Sequence, residues 1–335
     1  MPFIDDILKY RSVSVVGTDK NVGKTVTLNY ILRRLAQSSC NVAVTSIGID
    51  GEGIDQVTHT AKPDIRLTEG NLFVTSEQHY RAKRLVADIL DVSDYRTSLG
   101  RLVTARSLTP GQVLLSGPSD TVRLIRTIAD TRRLGADITL VDGALSRMSL
   151  ASPTVTDAMV LATGAAFSLS IPQLVRNTTF LCRLIDLPRV DQYVFDALSP
   201  LTTGVYALAD RDELVQLNIP SAVLFQHNKD ELNAHGHRLF VSGVVTDKLL
   251  SHIRMQRWCD GYEIIVQDFT KLFVSPDVLT AFVGRGGSIK VLYKSNLAAI
   301  TVNPLSPKGY TLDSDLLCSE LSSALARPVY DVMRL

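Results

Sequence analysis

The segment SVVGTDKNVGKTVT, residues 14–27, has residue types and spacing that suit the binding of a phosphate group. Its Gly-Lys-Thr ending matches a widespread phosphate-loop pattern, in which about four residues separate the two glycines. Here five residues separate Gly17 from Gly23. In such a loop, backbone N–H groups surround the anion, Lys24 reaches the β- and γ-phosphates, and the Thr25 hydroxyl can ligate Mg²⁺. The segment therefore predicts a nucleotide-phosphate site.

The flanking sequence supplies the elements that such a loop requires. SVSVVG, residues 12–17, is typical of a buried strand, and GKTVTLNYILRRLAQ, residues 23–37, is typical of a helix. A lysine in the first helical turn is unfavourable because the helix dipole is positive there, and a bound phosphate would remove that objection. A chance glycine-rich helix start is the alternative. The residues predicted to hold the nucleotide are Gly17, Thr18, Asp19, Asn21, Val22, Gly23, Lys24, Thr25 and Val26.

Two carboxylates at predicted strand ends are candidates for organising a metal ion and water. Asp142 directly follows the apolar run ITLV, so we expect its carboxylate at the carboxyl edge of a sheet, where open α/β sheets bind ligands. Asp50 ends another predicted strand within SIGIDGEG, and would hold Mg²⁺ through water or activate an attacking water. A strand-terminating turn at Asp142 and a solvated acidic loop around Asp50 are the alternatives. The predicted catalytic residues are Lys24, Asp50 and Asp142, and the predicted metal-binding residues are Thr25, Asp50 and Asp142.

The turn-rich segment NPLSPKGY, residues 303–310, is a candidate for contact with a nucleobase. Late loops in nucleotide-binding α/β proteins often wrap the base, so Asn303 and Pro304 are predicted to contact the nucleotide. A plain surface turn is the alternative. No base-reading motif distinguishes ATP from GTP.

Composition limits the classes of protein to which the chain can belong. The 335 residues carry 35 Lys and Arg against 34 Asp and Glu, so the net charge of +1 offers no bulk attraction to nucleic acid or to a membrane. No run approaches the roughly 20 apolar residues that a membrane span needs. The four cysteines form no C-x-x-C pair and are expected to be reduced thiols of a cytoplasmic protein.

Short apolar runs alternate with longer amphipathic stretches. The runs at 12–17, 41–48, 137–144 and 157–164 are continuous rather than alternating, which favours strands covered on both faces and a doubly wound, mostly parallel α/β sheet. The stretch at 75–90 is predicted to be a helix. We expect a nucleotide-binding core at 1–244 and a C-terminal αβ extension at 245–335, either a separate domain or part of the same sheet.

The loop GTDKNVGKT resembles the phosphate loop of dethiobiotin synthetase, which has the same five-residue spacing, and LVDGA resembles that family's VEGAGG motif. The resemblance covers roughly the first 165 residues. It implies the P-loop NTPase fold, in the branch that contains the nitrogenase iron protein and MinD-like ATPases, with ATP and Mg²⁺ as ligands. By this resemblance, Lys24 and Thr25 match the phosphate-binding lysine and the magnesium-binding threonine. Asp19 matches an aspartate near Mg²⁺ and the γ-phosphate.

The sequence departs from the dethiobiotin synthetase family at two positions, which disfavours the activity of that family. Dethiobiotin synthetase has a substrate-binding lysine after its second strand, whereas this chain has SIGIDGEG with Asp50 and no lysine; Leu145 also replaces the family's second glycine. The chain also resembles the P-loop accessory proteins of cobalamin-dependent aminomutase gene clusters, such as the small subunit of the lysine 5,6-aminomutase reactivase. The resemblance lies in the segments GTDKNVGKT, SIGIDGE, LVDGALSR and ITVNPLSPKGYTLD taken together.

That second resemblance implies an ATP-driven reactivating factor, and hence an ATPase. It would act on an aminomutase together with a second accessory ATPase subunit. Proteins of this branch often dimerise across the nucleotide, so a homodimer is one expected state. Two alternatives are an ATP-dependent ligase or kinase of the dethiobiotin synthetase type, acting on a small carboxylate or amine, and a non-catalytic nucleotide-binding scaffold.

Overall fold

The computed structural model describes residues 2–48, 64–144, 152–209 and 213–335. The chain forms two compact units, one from Met1–Thr179 with Asn296–Leu335 and one from Phe180–Ser295. The division expected between residues 244 and 245 falls inside the second unit. The difference arises because the chain's last strands return to the first unit's sheet, while strands on both sides of residue 244 pair within the second unit.

The first unit is built on a nine-stranded sheet. Its strands and short ribbons are β1 (Ser12–Gly17), β2 (Val42–Ser46), β3 (Ile65–Leu67), β4 (Leu72–Ser76), β5 (Ala87–Thr97), β6 (Gly100–Ser107), β7 (Gly111–Val113), β8 (Ile138–Ala144), β9 (Ala158–Gly164), β17 (Leu297–Asn303) and β18 (Val329–Asp331). Its helices are α1 (Ile4–Ile7), α2 (Lys24–Leu35), α3 (Glu77–Ala82), α4 (Thr121–Arg133) and α9 (Ser314–Leu325); α5 (Ile171–Ile185) begins in this unit and ends in the second.

The strand order is β18-β17-β9-β1-β8-β2-β4-β6-β5. The strands from β18 to β4 are parallel, and the β5–β6 hairpin adds two antiparallel strands at one edge. β3 and β7 form a separate two-stranded antiparallel ribbon. The predicted α/β class with a mostly parallel sheet is therefore confirmed.

Helices cover both faces of this sheet. On one face, Leu28 and Ile31 of α2 pack in the main core with Val15 and Leu140. On the opposite face, Leu124 of α4 packs with residues that include Val141 of β8. Because side chains alternate along a strand, β8 presents its residues to α2 and α4 in turn.

The second unit contains a five-stranded sheet in the order β11-β10-β12-β14-β16. The elements of this unit are α6 (Gln192–Leu198), β10 (Val205–Leu208), β11 (Leu214–Gln216), β12 (Arg238–Val241), β13 (Val245–Thr246), α7 (Asp247–Met255), β14 (Glu263–Val266), β15 (Leu272–Phe273), α8 (Pro276–Val283) and β16 (Ser288–Val291); 3-10 segments lie at Ala222–Asn233, Arg257–Cys259 and Phe269–Lys271. β12, β14 and β16 are parallel, whereas β10 and β11 are antiparallel additions. A separate buried cluster that includes Phe240 and Ile265 forms a core for this unit.

The helix predicted over 75–90 is wrong beyond its first turns. α3 ends at Ala82, because Lys83 takes an extended conformation, and β5 begins at Ala87. The spacing of apolar residues in this stretch fits a helix, but pairing with β6 satisfies its backbone groups as a strand. Among the described residues, no helix is long and apolar enough to cross a lipid bilayer.

Candidate functional site

The glycine loop, residues 17–25, leaves β1 at the carboxyl edge of the large sheet. The Thr18 N–H donates to the Ala162 carbonyl at 2.9 Å, which carries the pairing with β9 one residue beyond the strand. A Cβ added at Gly17 would lie 2.6 Å from Val22 Cγ2 and 2.8 Å from Lys24 Cγ. The loop therefore folds back directly over Gly17, which requires a residue without a side chain there.

The loop ends in a helix start that no side chain caps from the N-cap position. That N-cap is Gly23, with φ of 97°, and Asn21 also has a positive φ of 59°. The first turn of α2 contains no acidic residue, so its backbone N–H groups form a concentration of positive partial charge. Lys24 lies in this first turn, and its Nζ donates to the Asp19 carbonyl at 3.1 Å. Thr25 follows it within the same turn.

Asp142 lies beside this loop, on the face of the sheet that α2 covers. In the parallel register, Asp142 is paired with Val15 of β1 and with Ser46 of β2. Val15 packs in the core beneath α2, whereas Val141 packs under α4 on the other face. Asp142 therefore shares the face of α2, and its Oδ1 is shielded from solvent. β8 continues to Ala144, so Asp142 lies two residues before the end of the strand rather than directly after it.

Asn303, at the end of β17, also contacts the glycine loop. Its Nδ2 donates to the Asn21 carbonyl at 3.3 Å, and a Cβ added at Gly23 would lie 2.8 Å from Asn303 Cβ. Gly164 at the end of β9 lies closer still to Asn303, since a Cβ added there would lie 2.1 Å from the Asn303 carbonyl oxygen. Pro304 follows, and its carbonyl accepts from Leu312 N–H at 2.9 Å, which closes the turn-rich segment.

The remaining predicted residues of the loop differ in exposure. Asp19 is exposed, and its Oδ1 accepts from the Lys20 N–H at 2.6 Å. Thr18 Oγ1 donates to Thr163 Oγ1 at 3.2 Å. Val22 is buried and Val26 packs against the main core, so these two can offer only backbone groups to a ligand. Asp50 lies outside the described residues.

These groups fit a phosphate bound with a divalent cation. The fit rests on three observations: a loop cradle that an added Cβ at Gly17 would fill, a helix start without a side-chain cap, and a carboxylate near the end of the adjacent strand. A lysine and backbone N–H groups suit phosphate oxygens, and hydroxyl and carboxylate oxygens suit Mg²⁺.

A group of buried polar residues, not predicted from the sequence, lies at the end of β4, in α3 and in the segment after β7. Thr75, Ser76 and Ser116 are almost completely buried, and His79 is 6% exposed. No sequence signal indicated them, because Ser116 meets the other three only through the fold.

No family model, no curated protein and no solved structure matches the chain. The geometry of the glycine loop, α2 and Asp142 is therefore the basis for inferring a function.

Proposed function

We propose that this chain is a Mg²⁺-dependent, ATP-binding NTPase of the P-loop type, in the dethiobiotin synthetase-like branch. The observation that carries the proposal is the adjacency of β1 and β8 in parallel register, which brings Asp142 to the α2 face beside the glycine loop. A chance Gly-Lys-Thr sequence would not require a carboxylate at the neighbouring strand end on the same face.

In this proposal the chain positions the phosphates and neutralises their charge. The N–H groups at the start of α2 bind the β- and γ-phosphate oxygens, and Lys24 places its ammonium between them. Mg²⁺, when bound, supplies charge neutralisation at the phosphate oxygens, with Thr25 and Asp142 as the residues that would hold it. Asn303, in contact with the loop, and Pro304 are proposed to contact the base side of the nucleotide. Asp50 is proposed to order the attacking water.

The proposed role is that of an ATP-driven accessory factor rather than a small-molecule ligase. The segment after β2 has no lysine to bind a diamine or carbamate, which disfavours the ligase alternative. The chain also has a second unit, Phe180–Ser295, with its own sheet and core, which phosphate binding does not need. We propose that the chain acts on a partner enzyme, an aminomutase, and does so together with a second accessory ATPase subunit, as the sequence resemblance implies.

The test is ATP binding and ADP release by the purified chain, with and without an aminomutase partner. Lys24→Ala should weaken ATP binding roughly 10- to 100-fold, because it removes hydrogen bonds between charged groups. Lys20→Ala is the matched control, since it removes the same charge from an exposed position in the same loop. Equal ATP affinity in the wild type and both variants, with the fold intact by circular dichroism, would remove the assignment. Competition between ATP and GTP in the same assay identifies the preferred base.

A further inference from the structure

A buried polar network connects β4 to residues 114–118, here named the crossing segment, which follows β7. Thr75 Oγ1 donates to the Leu114 carbonyl at 2.7 Å and accepts from the Ser116 N–H at 3.2 Å. The Ser116 hydroxyl accepts from the Ser76 N–H at 3.0 Å and donates to Ser76 Oγ at 2.8 Å. These bonds attach the crossing segment to the carboxyl end of β4.

His79 completes the network from α3. Its Nδ1 lies 3.0 Å from Ser116 Oγ. A serine hydroxyl has a single proton, and that of Ser116 is directed to Ser76 Oγ. With the Ser116 proton directed to Ser76 Oγ, we assign the His79 Nδ1 as the donor to Ser116. The His79 side chain is 6% exposed, so loss of that donor would remove one of the two hydrogen bonds that the buried Ser116 hydroxyl accepts.

The same crossing segment is bonded to the end of β2. Gly117 N–H donates to the Gly48 carbonyl at 3.2 Å, and Gly48 N–H donates to the Pro118 carbonyl at 2.7 Å. The approach is so close that a Cβ added at Gly117 would lie 1.7 Å from the Ser46 carbonyl oxygen. The crossing segment thus fixes the last residues of β2.

The end of β2 is in turn bonded to Asp142. Ile47 N–H donates to the Asp142 carbonyl at 3.2 Å, and Ser46 is paired with Asp142 in the sheet. Hydrogen bonds and short backbone links therefore connect His79, through Ser116, the crossing segment and the end of β2, to the backbone carbonyl of Asp142.

We propose that His79 is a positioning residue for Asp142: its Nδ1–H holds Ser116, and thereby holds the crossing segment and the end of β2 against Asp142. This inference rests on the proposed function, because it assigns the network a purpose in Mg²⁺-dependent nucleotide binding. A network that only stabilised the fold would affect stability without changing the metal dependence.

The test compares His79→Gln with His79→Asn in the full chain. An asparagine amide places its N–H₂ near the position of Nδ1, whereas a glutamine amide reaches towards the position of Nε2, so only the asparagine can replace the proposed donor. ATP affinity is measured in saturating Mg²⁺ and in EDTA. The gain in affinity that Mg²⁺ provides should fall about 10- to 100-fold in His79→Gln, as when orienting partners of metal ligands are removed. Asparagine should restore it, and affinity in EDTA should stay unchanged in both variants.

Hydrogen exchange of the Ile47 and Gly48 amides provides a readout that requires no nucleotide. Both amides should exchange faster in His79→Gln and at the wild-type rate in His79→Asn. Faster exchange with an unchanged Mg²⁺ effect would overturn the positioning role, and so would equal behaviour of the two variants. A wild type that binds no ATP would instead overturn the proposed function itself, which Lys24→Ala examines separately.

Discussion

At the scale of single residues, Gly23 connects the glycine loop to both α2 and β17. Its φ of 97° disfavours any residue with a Cβ, and an added Cβ would lie 2.8 Å from Asn303 Cβ. Gly23→Ala should therefore lower the free energy of unfolding by about 1–2 kcal/mol from backbone strain alone. It should also weaken ATP binding, because the loop or Asn303 must move. Urea unfolding and ATP titration measure the two effects.

Gly135 offers a matched control for that substitution. Its φ of 95° is nearly the same, but an added Cβ would meet no atom within 4 Å. Gly135→Ala should show a similar loss of stability from strain with unchanged ATP affinity. If both variants bind ATP as the wild type does, the contact between Gly23 and Asn303 has no part in nucleotide binding.

His252, on α7 of the second unit, makes stability depend on pH. Partial burial lowers its pKa below the ordinary value of 6.5, and the nearby Lys229 lowers it further, while Asp230 opposes the shift. Between the folded and unfolded pKa values, the unfolded chain binds more protons, so stability increases with pH. The contribution of His252 is therefore complete above pH 6.5 and is lost as the pH falls towards the folded pKa.

The prediction is a decrease in the urea midpoint on acidification from about pH 7.5 to about pH 5.5, which His252→Gln should reduce. His227→Gln, at an exposed position in the same unit, is the control and should leave the decrease unchanged. An identical pH dependence in the wild type and His252→Gln would contradict the assignment.

At the scale of elements, three adjacent strands of the second unit share a partly buried ion cluster. The Glu263 side chain on β14 is 11% exposed, and it accepts from Arg238 Nε of β12 at 3.2 Å and from Lys290 Nζ of β16 at 2.6 Å. Glu263→Gln leaves two cations without their carboxylate. Because both cations are about one-third exposed, we expect a loss of about 1–3 kcal/mol, less than for a fully buried pair.

A surface ion pair gives the comparison for Glu263. Asp130 of α4 pairs with Arg133 at 2.8 Å, and both side chains are exposed. Asp130→Asn should change the free energy of unfolding by less than about 0.5 kcal/mol. Urea denaturation of both variants tests the contrast, and equal effects would mean that the Glu263 cluster contributes no more than a surface pair.

The elements also show what the sequence could and could not predict. β1, β2, β8 and β9 were predictable because strands buried on both faces have continuous apolar runs. β5 was not, because it is an edge strand with largely exposed residues and two register shifts, which remove the alternating pattern. Its pairing with β6 depends on tertiary structure that local spacing does not encode.

Some residues of the candidate site could also be predicted from the sequence, and others could not. The glycine loop could be predicted because its chemistry lies in adjacent residues, and Asp142 because it directly follows an apolar run. The contact between Asn303 and Asn21 joins residues 282 positions apart, and the His79–Ser116 bond joins residues 37 positions apart. Neither contact produces a pattern in the local sequence, so both could be identified only from the structure.

At the scale of the whole molecule, the chain leaves the large sheet after β9, builds the second unit, and returns to place β17 beside β9. Two further contacts attach the returning segment to the first unit. Thr301 Oγ1 lies 2.8 Å from Thr27 Oγ1 of α2, and the Tyr330 ring packs on Phe3 with 5.0 Å between centroids. Residues 296–335 are therefore an integral part of the fold that carries the glycine loop.

This topology predicts how fragments of the chain behave. A fragment of residues 1–244 lacks β17, so it exposes the edge of β9, all seven residues of which are buried in the full chain. It also separates β12 from β14. We expect this fragment to aggregate, because an apolar strand edge without a partner pairs readily with other chains.

A fragment of residues 180–295 contains all five strands of its sheet and the core around Phe240 and Ile265. It should remain in solution and unfold in a single cooperative urea transition, because the contacts that define the unit are internal to it. Size-exclusion chromatography and circular dichroism of the two fragments, with the full chain as reference, measure both outcomes. A monomeric, cooperatively folded 1–244 fragment together with an unfolded 180–295 fragment would place the division near residue 244 instead.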